Sequence, residues 1–126
     1  MKMDVNVYVP QARLFKVLMH PVRIAILDLL REEEECVCHL EAHLGFRQAY
    51  ISQQLMVLRE AGLVADRRDG WNIFYRLTRP EIYELLDSAA RMLGVPPGPR
   101  LNRDLVHLCP CPKCNLETEK AGDSAQ

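Results

Sequence analysis

The chain has 126 residues, 48% of them hydrophobic, with 16 Lys and Arg against 17 Asp and Glu, and five cysteines. Its apolar stretches are short and broken by charge, far below the roughly 18 residues that cross a bilayer. Met1 to Pro10 has no apolar core of signal-peptide length, so one compact cytoplasmic domain with no membrane span is expected.

An odd number of clustered thiols in a reducing compartment points to metal or redox chemistry and away from a disulfide framework. The net charge of −1 conceals an asymmetry. Residues 47–79 hold Arg47, Arg59, Arg67, Arg68, Arg76 and Arg79 against Glu60, Asp66 and Asp69, a local excess of +3 that leaves −4 on the remainder. Charge segregated in this way can place a DNA-binding face inside a near-neutral protein.

After Pro10, Leu14, Phe15, Val17 and Leu18 recur at helical spacing until His20-Pro21 interrupts them. A second helix, apolar on most sides from Val22 to Leu30, is expected at the centre of the core. The acidic run Glu32 to Glu35 precedes a third, short helix over about Cys36 to Leu44. Gly45-Phe46 reads as a tight turn. A fourth helix from Arg47 to about Ala61 sets Ile51, Leu55 and Leu58 on one face, and Gly62 stands where a left-handed cap is expected.

Two strand-like runs follow, Leu63 to Arg68 and Trp71 to Leu77, with Asp69-Gly70 between them as a hairpin signal. Trp71 and Phe74 are expected to pack the wing so formed. Thr78 with Glu81 three residues on, and Pro80 between, reads as a capping box for a fifth helix, whose stripe runs from Ile82 to Leu93 and ends at Gly94. Pro96-Pro97-Gly98-Pro99 breaks the chain, Leu101 to Leu108 is a candidate short helix, and the polar stretch after Asn115 is expected to be disordered. The fold expected is mainly α with a small hairpin, a winged helix-turn-helix in the order α-α-α-α-β-β-α. Its divisions are an N-terminal extension over 1–9, the winged domain over 10–94, a Pro- and Cys-rich segment over 95–115 and a tail over 116–126.

The fourth helix is the candidate reader of double-stranded DNA. A helix fits the major groove, and Gln48, Gln53 and Gln54 carry amides that donate and accept together, as adenine requires. Arg47, Tyr50 and Ser52 suit bases or phosphates, and Arg67 and Arg68 on the wing suit phosphates or a minor groove. A merely solvated polar face has no need of the glycine turn before it or the hairpin after it.

His20-Pro-Val-Arg-Ile-Ala-Ile-Leu, Glu35-Cys-Val-Cys-His-Leu, Ala49-Tyr-Ile-Ser-Gln-Gln-Leu-Met-Val-Leu-Arg-Glu-Ala-Gly-Leu-Val, Arg67-Arg-Asp-Gly and Phe74-Tyr-Arg-Leu together resemble the ArsR/SmtB family of winged-helix metal-sensing repressors. The likeness spans about Leu14 to Leu93, and departs at Gln54, where family members usually carry His. It implies a homodimeric repressor, not an enzyme, that releases its operator on binding an inducer. Surplus apolar stripes on the first and last helices fit a dimer through those helices. That pairing would set two recognition helices about 34 Å apart.

The cysteines fall into a pair, Cys36 and Cys38, and a trio, Cys109, Cys111 and Cys114. Thiolates are soft donors for trivalent arsenic or antimony, cadmium, lead or zinc, and the prolines beside the trio reduce the entropy of ordering it. In a continuous helix residues i and i+2 lie about 200° apart, so one ion held by Cys36 and Cys38 would have to loosen the first turn.

In arsenic-sensing relatives a third cysteine lies one turn further on, where this chain has Glu41. The expected site therefore joins Cys36 and Cys38 to one or two of the C-terminal thiols. Other readings stay open: a buried structural Cys36, a structural zinc on Cys109, Cys111 and Cys114 with His107 as fourth ligand, and zinc on His39 and His43, against two solvated histidines. Switching by thiol oxidation or persulfide is the nearest rival function. A structural-zinc interaction module and a thiol-disulfide enzyme rank lower.

Overall fold

The computed structural model describes residues 1–99; the candidate helix Leu101 to Leu108, the thiols Cys109, Cys111 and Cys114, His107 and the tail 116–126 lie outside the described residues. A 3₁₀ turn at Val5–Tyr8 leads into α1 (Val9–Leu18), which admits Pro10 in its first turn, where no intrahelical donor is lost. Pro21 opens α2 (Pro21–Leu29) in the same manner. After a short bend come β1 (Glu35–Cys36), α3 (Val37–Leu44), α4 (Gln48–Glu60), β2 (Val64–Asp69), β3 (Asn72–Leu77) and α5 (Glu81–Leu93).

The three strands form one antiparallel sheet in the order β1-β3-β2. The helix-turn-helix and its hairpin wing are as expected from the sequence, and β1 is an addition to them. It pairs Glu35 with Tyr75 and Cys36 with Phe74, so the residue expected to begin the third helix is a strand residue instead.

One core holds the helices together. Ile26 and Leu27 of α2, Leu40 of α3, and Ile51, Leu55 and Leu58 of α4 are all fully buried, which fixes α4 against the two helices before it. Gly62, at φ 78°, ends α4 in a Schellman arrangement: its N–H reaches Arg59 O at 3.0 Å and the Leu63 N–H reaches Leu58 O at 3.0 Å. A side chain there would meet no neighbour, so the need for glycine is purely one of backbone conformation.

Two local expectations are corrected. Thr78 does not cap α5; its hydroxyl donates to Gly62 O at 2.7 Å, and Pro80 occupies the cap without a side-chain bond. The hydroxyl closes the loop between α4 and the wing instead, because the Thr78 N–H also bonds to Leu63 O at 2.9 Å and holds the residue at the sheet end. The hairpin tip is Gly70-Trp71 and not Asp69-Gly70, since Asp69 remains in register opposite Asn72. Gly70 supplies the positive φ of 62° that such a tip requires.

A polar clasp joins α2 to α5. Arg31 donates to both carboxylate oxygens of Asp87, at 3.0 and 2.8 Å, and to Asp28 at 2.8 Å, while its guanidinium lies 4.4 Å from the Tyr83 ring centre. The hydrogen bonds from Arg31 hold the Asp87 carboxyl below its ordinary range. The Tyr83 hydroxyl donates to Leu27 O at 3.2 Å, and burial pushes that phenol up to about 12. The apolar stripes of α1 and α5 are incompletely covered, with Phe15, Met92 and Leu93 exposed, as are Met19 just after α1 and Ile24 on α2.

Candidate nucleic-acid interface and thiol site

Gly45, in the left-handed region at φ 73°, turns the chain out of α3 so that α4 starts only four residues later. With Ile51, Leu55 and Leu58 buried, the helical repeat directs Arg47, Gln48 and Gln53 outward, and these three are exposed as expected. Ser52 is half-buried. Tyr50 is half-buried too, with its ring 5.0 Å from that of Phe46 and its hydroxyl 3.2 Å from His20 Nε2.

Gln54 does not lie on the outward face. It is 7% exposed, and its Oε1 accepts from Arg23 Nε at 2.8 Å. The same guanidinium donates to Val17 O at 3.2 Å, so Gln54 is the α4 end of a link through α2 to α1. Its carbonyl oxygen is engaged inside the domain.

On the wing, Arg67 and Arg68 point to opposite sheet faces because neighbouring strand residues alternate. Arg68 is exposed. Arg67 forks onto the Glu34 carboxylate, Nε to Oε2 at 2.8 Å and NH2 to Oε1, and its guanidinium carbon sits 4.7 Å from the Phe74 ring centre. Hydrogen bonding to Glu34 raises the Arg67 pKa above its ordinary value. Phe74 is buried, as expected of a wing residue, whereas Trp71 is fully exposed at the tip and does not pack the wing.

The structure brings Cys36 and Cys38 together, with Sγ atoms 2.7 Å apart. Helix geometry had been expected to separate them. It does not apply, because Cys36 is the extended cap residue of α3, at φ −80° and ψ 158°, and only Cys38 is helical. The His39 N–H donates to Cys36 Sγ at 3.2 Å. Two soft donors therefore already share a locus, and an ion placed there needs no unwinding of α3. Cys36 is buried against Phe74 and Cys38 is half-buried. Among the described residues no three His, Cys, Asp or Glu side chains form a ready metal-holding group. The other candidates, Cys109, Cys111, Cys114 and His107, lie outside the described residues.

The solvated pair of histidines is also corrected. His39 is 5% exposed, with Nε2 3.4 Å from Glu35 Oε2 and 2.6 Å from His43 Nε2. Sequence reasoning missed Glu34, Glu35 and β1 as parts of this region. A two-residue strand is too short for any periodic signal, and the acidic run reads as charge placed ahead of a helix N-terminus.

Comparison with known proteins agrees with the winged helix-turn-helix fold. Residues 20–66 match the family described as bacterial regulatory protein, arsR family. Over 119 residues, 94% of this chain and 94% of the relative, the chain is 46% identical to the uncharacterized HTH-type transcriptional regulator Rv0081 of Mycobacterium tuberculosis. The crystal structure of the transcriptional repressor BigR from Xylella fastidiosa superposes with a TM-score of 0.63 at 40% identity, covering 71% of this chain and 92% of that one. The solution structure of the homodimeric winged helix-turn-helix DNA-binding domain Mb0332 from Mycobacterium bovis gives 0.59 at 27% identity, covering 74% and 87%.

Proposed function

The chain belongs to the arsR family of bacterial regulatory proteins, DNA-binding transcription regulators and not enzymes, and from that premise we propose a homodimeric repressor that leaves its operator when a soft metal or metalloid ion binds its thiolates. The ligands in this reading are Cys36 and Cys38 with one or two of Cys109, Cys111 and Cys114. The observation that carries it is the 2.7 Å approach of the two sulfurs beside the helix-turn-helix. Trivalent arsenic or antimony suits a trithiolate; cadmium, lead and zinc suit four thiolates.

Operator recognition in this reading falls to Arg47, Gln48, Tyr50, Ser52 and Gln53 on α4, with Arg68 on the wing. Dimerisation through α1 and α5 is supported by the exposure of Phe15, Met92 and Leu93 and by the apolar groove that Phe15, Leu18, Ile24, Leu85 and Leu86 line. Burying such a surface against a second copy is favourable at about 25 cal/mol per Å² of apolar area. An ion at the thiols acts on β1, which is hydrogen-bonded to the wing, and on α3, which packs under α4. Ligation thus spends binding energy on both DNA-facing elements.

The test is operator release measured against arsenite, antimonite, cadmium, lead, zinc and a polysulfide, for the wild type, Cys36→Ser, Cys38→Ser and the triple Ser variant of Cys109, Cys111 and Cys114. Metal release that the Ser variants abolish is the expected result. Full response from the triple variant removes the C-terminal thiols from the site. A second reading, switching by thiol oxidation or persulfide, draws on the same vicinal sulfurs; it replaces the first if polysulfide releases the DNA and no ion does.

A further inference from the structure

The thiol-bearing strand and the wing arginine are joined by a closed loop of contacts. Cys36 stands opposite Phe74 in the β1–β3 pairing and is buried against it. Phe74 lies beneath the Arg67 guanidinium at 4.7 Å. Arg67 forks onto Glu34, and Glu34 is the residue that leads directly into β1. The carboxylate onto which Arg67 forks is therefore carried at the entry to the strand that bears Cys36, and that strand also pairs with Phe74, the cross-strand neighbour of Arg67; Asp69 lies further off at 4.0 Å.

We propose that Glu34 is a positioning residue that competes with operator phosphate for Arg67, clasping the guanidinium to the thiol-bearing strand. The proposal rests on the repressor reading above and extends it from the thiols to the wing. A carboxylate offers a guanidinium fork the same paired oxygens that a phosphate does. Arg67 and Glu34 are half-exposed, with side chains 49% and 30% accessible, so the pair is weak enough to exchange. An exchange so nearly balanced is decided by where β1 sits. An inducer that fixes Cys36 and Cys38 keeps Glu34 in place and denies the operator one cationic contact. With no ion on the thiols the clasp still competes, but β1 is held less firmly and Arg67 is shared between Glu34 and the DNA backbone.

The test uses the full-length reduced protein, free of metal, and a labelled duplex that the protein itself selects from a randomised pool. Glu34→Gln should bind that duplex up to about fivefold more tightly at low salt, and the slope of log K against log salt should steepen by up to about one unit, the mark of a shared phosphate contact made in full. In an Arg67→Ala background the same substitution should change neither quantity. If the gain persists in that background, or if Glu33→Gln reproduces it, only general charge is at work and the clasp is refuted. Unchanged affinity and slope in Glu34→Gln refute it as well. With whichever inducer releases the wild type, Glu34→Gln should be released less completely, and equal release breaks the link from thiols to wing. A wild type that no inducer releases sinks the sensing reading, and the clasp then stands or falls on the ion-free titrations.

Discussion

Replacing Gln54 with Ala separates two roles that the sequence leaves entangled, a reader of bases and a strut. The structure makes it a strut. Gln54 is 7% exposed and receives a 2.8 Å hydrogen bond from Arg23, whose other donor reaches Val17 O at 3.2 Å. A hydrogen bond to a charged group contributes about 1.5–3 kcal/mol. Arg23 is half-buried, so water replaces part of the lost acceptor, and a loss of about 2 kcal/mol is the working figure.

That is a sizeable share of the roughly 5–15 kcal/mol that holds a small domain together. Urea unfolding of the reduced protein, at one fixed chain concentration so that self-association cannot bias the comparison, measures it directly. Gln54→Glu keeps an acceptor for Arg23 and should retain near wild-type stability. Should Gln54→Ala shift stability by less than about 0.5 kcal/mol, the range of ordinary surface changes, while altering which base the operator prefers, the strut is wrong and the amide reads DNA.

Two further outcomes follow from particular groups. Tyr83 is neutral when protonated and its folded pKa is raised to about 12, so the stability it adds is complete below the unfolded value of about 10 and is lost as pH rises from there toward 12. For a phenol this accessible the discounted contribution is about 1 kcal/mol; Tyr83→Phe should be the less stable protein at pH 7 and lose that deficit in alkali, and a constant deficit from pH 7 to 12 contradicts the assignment. The single tryptophan, Trp71, is fully exposed at the wing tip, so iodide should quench its fluorescence freely in the protein alone and poorly at saturating operator. Quenching unaffected by DNA means the wing tip does not meet it.

Much of the fold was legible in the residues because it rests on local chemistry. Helical spacing placed Ile51, Leu55 and Leu58 inward, prolines at 10 and 21 opened helices, and Gly45 and Gly62 marked the two turns that bound α4. The outward direction of Arg47, Gln48 and Gln53 follows from the same periodicity. Gln54 was misplaced because periodicity assigns a face but not the partner across from it; a buried amide is tolerated only where something like Arg23, 31 residues earlier, arrives to satisfy it.

Thr78 misled for a related reason, since its hydroxyl can accept from a helix N–H as a cap or donate to a carbonyl on a neighbouring turn, and the fold brings the Gly62 carbonyl within its reach. The sequence by itself determined a winged helix-turn-helix with a thiol pair at the start of the first helix of that unit. What only the tertiary structure decided is that Cys36 is a strand residue of the wing sheet and that Arg67 is held by Glu34. Both depend on pairing between segments more than thirty residues apart, and such contacts leave no period in the chain because each is made once, by whichever groups the packed core delivers to each other.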